Sequence, residues 1–122
     1  DSVILVLHRK LNKWVQPGGH ADGEQNLCVS AMRELDEETG VSASPLLGDD
    51  IFDIDIHTIP ASANEGQHYH YDVRYLFLVH EQSTLRISEE SLEIRWIHFN
   101  DLHRYTTEES ILRMRNKTNV QC

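Results

Sequence analysis

Two periodicities alternate along this chain, and the places where one gives way to the other mark its elements. Residues 2–9, SVILVLHR, are a run of aliphatic and β-branched side chains too short for a helix, which predicts a buried strand. The stretch that follows, KLNKWVQPGG, closes on Pro17-Gly18-Gly19, a sharp and conformationally permissive turn. From about Asn26 to Thr39 the spacing becomes helical, and Gly40 occupies the stop position just past a helix end. On a wheel of roughly 100° per residue, Cys28, Ala31, Met32 and Leu35 share the side expected to face the core. Glu34, Glu37 and Glu38 share an adjoining carboxylate side.

Strict alternation returns in IFDIDIH, with Phe52, Ile54 and Ile56 pointing one way and Asp53, Asp55 and His57 the other. That predicts a strand with its apolar face buried. TIPASANEGQ is a loop. HYHYDVRYLFLV alternates again, placing Tyr69, Tyr71, Val73, Tyr75 and Phe77 on one face and His68, His70, Asp72 and Arg74 on the other. LEIRWIHF predicts a further strand, and Thr106 with Glu109 forms a capping-box pattern for a closing helix through about Asn116. Strands interleaved with two helices predict a mixed sheet covered by helices.

Composition narrows the function. A chain of 122 residues, 39% hydrophobic and 25% charged, fits a single soluble globular domain, residues 1–122, and not a disordered segment. Because it opens directly on a strand, residues preceding Asp1, including a removed leader, stay open. No apolar run approaches the ~20 residues that cross a bilayer, so no membrane role is expected. A net charge of −9 argues against binding a nucleic-acid polymer, which needs a positive surface. It also means that an anionic ligand would need a cation to mediate. Cys28 and Cys122 have no metal-ligand spacing and no disulfide framework, which points to a reducing, cytoplasmic setting.

The acidic crowding in RELDEETGV then becomes the informative feature. Four acids occupy the five positions Glu34 to Glu38. Like charges one turn apart repel, their pKa values rise, and the negative end of the helix dipole disfavours them further. Arg33 offsets part of this through Glu37, four residues on. A divalent cation reverses the sign, and three carboxylates on one turn form a hard-oxygen site suited to Mg2+ or Mn2+. A merely solvated polar face is the other reading of the same residues.

The stretch GHADGEQNLCVSAMRELDEETGV, Gly19 to Val41, resembles the signature of the Nudix hydrolase family. Gly19 starts it, and Arg33, Glu34, Leu35, Glu37, Glu38, Gly40 and Val41 fill its second half in register. One position departs: the first glutamate of the signature is Gln25 here, with an acid one place earlier as Glu24. The resemblance implies an α/β fold, specifically an α/β/α sandwich with a mixed sheet, and metal-dependent cleavage of a diphosphate linked to another group. Mg2+ or Mn2+ would be held by Glu34, Glu37, Glu38 and the carbonyl of Gly18, with Glu90 as a further ligand. Glu34 is the expected base, with Glu89, Glu90 and Glu93 as competitors, and Arg33 would hold a glutamate in place. A homodimer is compatible with the resemblance. A nucleotide-binding sensor that has lost catalysis, with Gln25 as its trace, is the alternative.

Substrate contacts are expected from Gly19, His68, His70 and Arg74, whose planar fork matches phosphate. The His-x-His-x-Asp display also admits two other readings: polar pairs with Asp53, Asp55 and His57 on a neighbouring strand, or a transition-metal site. Trp14, Tyr69, Tyr71 and Trp96 stand between core packing and stacking on a nucleobase.

Overall fold

The computed structural model describes residues 2–80 and 83–121; Cys122 lies outside them. In chain order the elements are β1 (Ser2–His8), β2 (Lys13–Val15), α1 (Leu27–Thr39), β3 (Ser44–Pro45), β4 (Asp53–Ile59), β5 (His68–Arg74), β6 (Phe77–Leu78), β7 (Ser91–His98), a 3-10 turn (Phe99–Arg104) and α2 (Glu109–Gln121). The α/β class expected from the pattern is the class observed. Among the described residues every strand pairing is antiparallel, in three sheets ordered β2-β1-β7, β3-β6 and β4-β5.

β1 is the buried central strand that its aliphatic run predicts. It pairs with β2 through Val6 and Val15, and with β7 through Ile4 and Trp96. Leu5 is wholly buried and joins Ile97, Leu102 and Ile111 in one cluster, against which Val3, Trp14, Tyr105, Leu112 and Met114 pack. The cluster therefore joins the β1–β7 sheet to the 3-10 turn and α2. The closing helix differs from expectation at both ends. Thr106 accepts from the backbone N–H of Glu108 at 3.0 Å and not from Glu109, so α2 begins at Glu109 and runs to Gln121.

The hairpin β4–β5 is turned over relative to its hydrophobic pattern. Ile54, Ile56, Tyr69 and Tyr71, expected to be buried, are 48–65% exposed, whereas Asp53 and Arg74 are buried. The reason is electrostatic. Asp53 accepts from Arg74 at 3.2 Å, from Arg113 at 3.0 and 2.7 Å, and from Lys117, so two cations of α2 and one of β5 meet one carboxylate. A charge group of this kind keeps its inward position only if it stays paired. The single strand expected from residue 68 onward divides in two. β5 leaves β4 at Arg74, and the chain then pairs through β6 with β3.

Candidate active site

α1 begins where the sequence places it. The Asn26 side chain accepts from the Val29 N–H at 3.2 Å, and Glu24 accepts from the Asn26 N–H at 2.9 Å, so Glu24 serves the entry to the helix. At the other end Gly40, with φ of 74°, lets its N–H reach the Asp36 carbonyl at 2.8 Å. A left-handed residue there favours glycine. The wheel misplaces one core residue: Met32 is 39% exposed, while Cys28 and Ser30 near the start of α1 and Glu38 and Thr39 at its end are buried, so the helix docks at both ends.

That docking builds the site. The N–H of Gly18 donates to Glu38 Oε2 at 2.7 Å. Gly19 lies directly over Glu34, and a methyl group in place of its hydrogen would stand 2.6 Å from the Glu34 carboxylate. Any side chain there would displace the Glu34 carboxylate. Arg33 spans the turn, with its guanidinium 3.5 Å from Glu34, 3.9 Å from Glu37 and donating to the His20 carbonyl at 3.3 Å. Glu37 is mostly exposed, while Glu34 and Glu38 lie beneath the loop.

Burial pushes the Glu38 carboxyl up, and the charges of Glu34, Glu90 and Glu37 add to it. The Gly18 hydrogen bond opposes them, and the result is about 7. Glu90 arrives from the segment entering β7, held there by the Arg9 N–H on the Glu90 carbonyl at 2.8 Å and by Arg9 Nε on the Glu89 carbonyl at 3.1 Å. Arg9, which looks like a plain hairpin charge, thereby positions an acid some eighty residues away. Glu93, the other acid of that stretch, pairs with Arg95 at 2.9 Å.

The donor set fits a divalent cation: oxygens only, one carboxylate among them with its ionisation suppressed first by burial and then by neighbouring acids. In this geometry the carboxylates of α1 surround Glu38 loosely. Among the described residues, the three-donor group within 4.8 Å is instead Asp55, His57 and Asp72 on the hairpin.

His68 and His70 line the inner side of β5 beside that group. Their rings are 5.4 Å apart, and His70 stands 6.4 Å from His20, the residue next to Gly19. His20 is the contact that joins hairpin and glycine loop. Its only sequence signal is its place inside the signature. Arg74, expected to face phosphate, is 9% exposed and committed to Asp53 and to Ser110 at 3.1 Å. With its amide oxygen turned to Arg74, Gln16 accepts from Nε at 2.8 Å. Trp14 packs edge-on to Tyr105 at 5.3 Å beneath Arg95, as part of the core surround, and Tyr69 and Tyr71 face outward.

The chain is similar to known proteins in sequence and in fold. The NUDIX domain family matches residues 1–115. A probable DHNTP pyrophosphohydrolase of Lactococcus lactis is 31% identical over 84 residues, 67% of this chain and 49% of that protein. Phosphatase NudJ of Escherichia coli is 53% identical over 48 residues, 37% of this chain and 31% of that one. The matched regions thus span half or less of these relatives. Among solved structures, an Ap4A hydrolase of C. elegans superposes with a TM-score of 0.76 at 15% identity, covering 98% of this chain and 84% of that one. A NUDIX-family hydrolase of Clostridium perfringens gives 0.71 at 24% identity, covering 100% and 91%. These two likenesses are of fold. Matched by the family along nearly its whole length, and carrying the Arg33-Glu34…Glu37-Glu38 turn beneath a double glycine, the chain belongs to the Nudix hydrolase family.

Proposed function

We propose that this chain is a metal-dependent pyrophosphohydrolase that cleaves the diphosphate linkage of a small nucleoside-diphosphate derivative. One observation carries the reading: Gly18 and Gly19 are laid over Glu38 and Glu34, with Glu90 brought from the far end of the chain to the same carboxylate. Acids so arranged repel one another and an anionic substrate alike, and the arrangement makes sense as a cation cradle.

Glu34, Glu37, Glu38 and Glu90, with the Gly18 carbonyl, are the residues that would hold Mg2+ or Mn2+. A cation bound there supplies charge neutralisation on phosphoryl oxygens and lowers the pKa of an attacking water. Arg33 holds Glu34 and Glu37 through charge-assisted contacts. Glu34, pressed against Gly19, takes the role of proton acceptor. His68 and His70, facing the glycine loop through His20, are the substrate contacts of this reading. Arg74 supports that wall by holding Asp53, and direct phosphate contact is not part of its role.

The test is a panel of nucleoside triphosphates, nucleotide sugars, dinucleoside polyphosphates and diphosphate-bridged coenzymes, with DHNTP and Ap4A among them because relatives bear those names. With Mg2+ one class is turned over, and EDTA abolishes the reaction. Glu38→Gln lowers turnover by roughly a hundredfold or more. Tight nucleotide binding without any turnover in the unaltered protein would overturn the reading in favour of a sensor.

A further inference from the structure

The inner face of the β4–β5 hairpin carries a constellation that the hydrolytic reading does not use. Cross-strand register sets Asp55 directly opposite Asp72, and His57 opposite His70. Like charges facing each other across a strand pair are destabilising. His57 lies between the two carboxylates, with Nδ1 3.8 Å from Asp55 Oδ2 and 3.7 Å from Asp72 Oδ2. Both distances exceed a hydrogen bond. Ligands held about 2.0–2.1 Å from one ion stand roughly 3.3–3.6 Å from one another. His57 therefore stands within a few tenths of an ångström of ligand spacing from each carboxylate, and all three donors lie within 4.8 Å of one another.

The surroundings favour that use. The other oxygen of Asp55, Oδ1, accepts from Arg113 at 3.4 Å, which orients the carboxylate and leaves Oδ2 toward His57. Arg74 and Arg113 also reach the trio, at 3.8 Å from Asp72 Oδ2 and 3.4 Å from Asp55 Oδ1, but each has Asp53 as its shorter ion-pair partner, at 3.2 and 2.7 Å. All three donors keep between 29% and 44% of their side-chain surface, an open path for entry. The hairpin also exposes Ile54, Ile56, Tyr69 and Tyr71, while Asp53 and Arg74 of its other face are buried. It forgoes burial worth roughly 1.5–3 kcal/mol for each large apolar side chain. Asp53 and its partners account for one end of that face; the Asp55–His57–Asp72 end is held only by longer contacts, at 3.4 to 3.8 Å.

We propose that Asp55, His57 and Asp72 form a second divalent-cation site, distinct from the glutamates of α1 and selective for transition metals such as Zn2+ or Co2+. An imidazole donor favours these ions, whereas Mg2+ prefers an all-oxygen shell. Three protein ligands leave a coordination position open. His70, its ring centroid 5.5 Å from that of His57, flanks the position on the side of the glycine loop.

Co2+ is the probe, titrated into the full chain in millimolar Mg2+ and followed by visible absorption and calorimetry. No turnover is read, so failure here leaves the hydrolase reading untouched. One equivalent of Co2+ is expected to resist Mg2+ and to persist in the Glu37→Gln/Glu38→Gln protein. His57→Asn or Asp72→Asn should weaken it by roughly a hundredfold or more. Co2+ binding lost only in the glutamate variant, unchanged in the hairpin variants, or absent altogether would overturn the proposal. Circular dichroism checks the fold of each variant. Should a hairpin variant unfold, paramagnetic broadening by Co2+ in the unaltered protein decides the matter: signals of His57 and His70 broaden first if the site is real, and broadening confined to α1 refutes it.

Discussion

Gly19 and Glu38 show how much chemistry rests on single positions here. A Gly19→Ala methyl would meet only the far end of the flexible Glu34 side chain, so the fold should survive while the carboxylate is displaced. The expected result is a melting temperature within a few degrees of the unaltered protein together with a fall in kcat of roughly tenfold or more. Equal losses of stability and activity would contradict it. Glu38 supplies a pH dependence. In metal-free protein its carboxyl is raised from 4.5 to about 7. Below 4.5 it is protonated in both folded and unfolded chains; between 4.5 and 7 the unfolded chain releases a proton that the folded chain retains. Stability therefore falls as pH rises through that window, by up to about 3 kcal/mol. Melting in EDTA at pH 5 and at pH 7.5 should show the loss, and Glu38→Gln should remove this slope. The crowding of acids, and the share of the Glu38 shift that its neighbours supply, were legible from RELDEETGV. The burial that contributes most to the shift at Glu38 was not, because it depends on a loop laid over the helix.

At the level of elements, the hairpin is the least obvious feature and Asp53 is its anchor. Burial alone would raise the Asp53 carboxyl, but Arg113, Lys117 and Arg74 bring it down from 3.8 to about 2. Its folded pKa is depressed, so the stability it contributes is complete above about 4 and is lost as pH falls toward 2. Asp53→Asn leaves Arg74 buried without its carboxylate and should cost about 3–5 kcal/mol. Urea unfolding at pH 7 measures that cost, and its disappearance near pH 2 checks the sign. Period-two alternation correctly located both strands, yet it could not say which face would turn inward. Hydrophobicity alone favours Ile54 and Ile56; three cations converging on one carboxylate decide otherwise. α1 is the opposite case: its Asn26 cap, its span and its glycine stop are local events and could be read directly from residues 26–40.

For the whole molecule, the net charge of −9 makes divalent metal the expected partner. Anything bound by the folded chain alone stabilises it by mass action, by about 2.7 kcal/mol at a hundred times its Kd. Magnesium at millimolar concentration should thus raise the melting temperature, and Glu37→Gln/Glu38→Gln should reduce the rise. No shift in the unaltered protein would count against the α1 cradle. The family, the α/β class, the acidic turn and the limits of α1 were determined by the sequence itself, because each rests on spacing within a few dozen contiguous residues. Tertiary structure alone decided that Arg9 sets Glu90 beside Glu38, that Arg74 belongs to Asp53, and that His20 meets His70 of β5. It also decided that Asp55, His57 and Asp72 share one small space. Apart from the pair Asp55 and His57, these contacts join residues 15 to 81 positions apart, and folding chose them by balancing buried charge against apolar surface, a balance that no local pattern records.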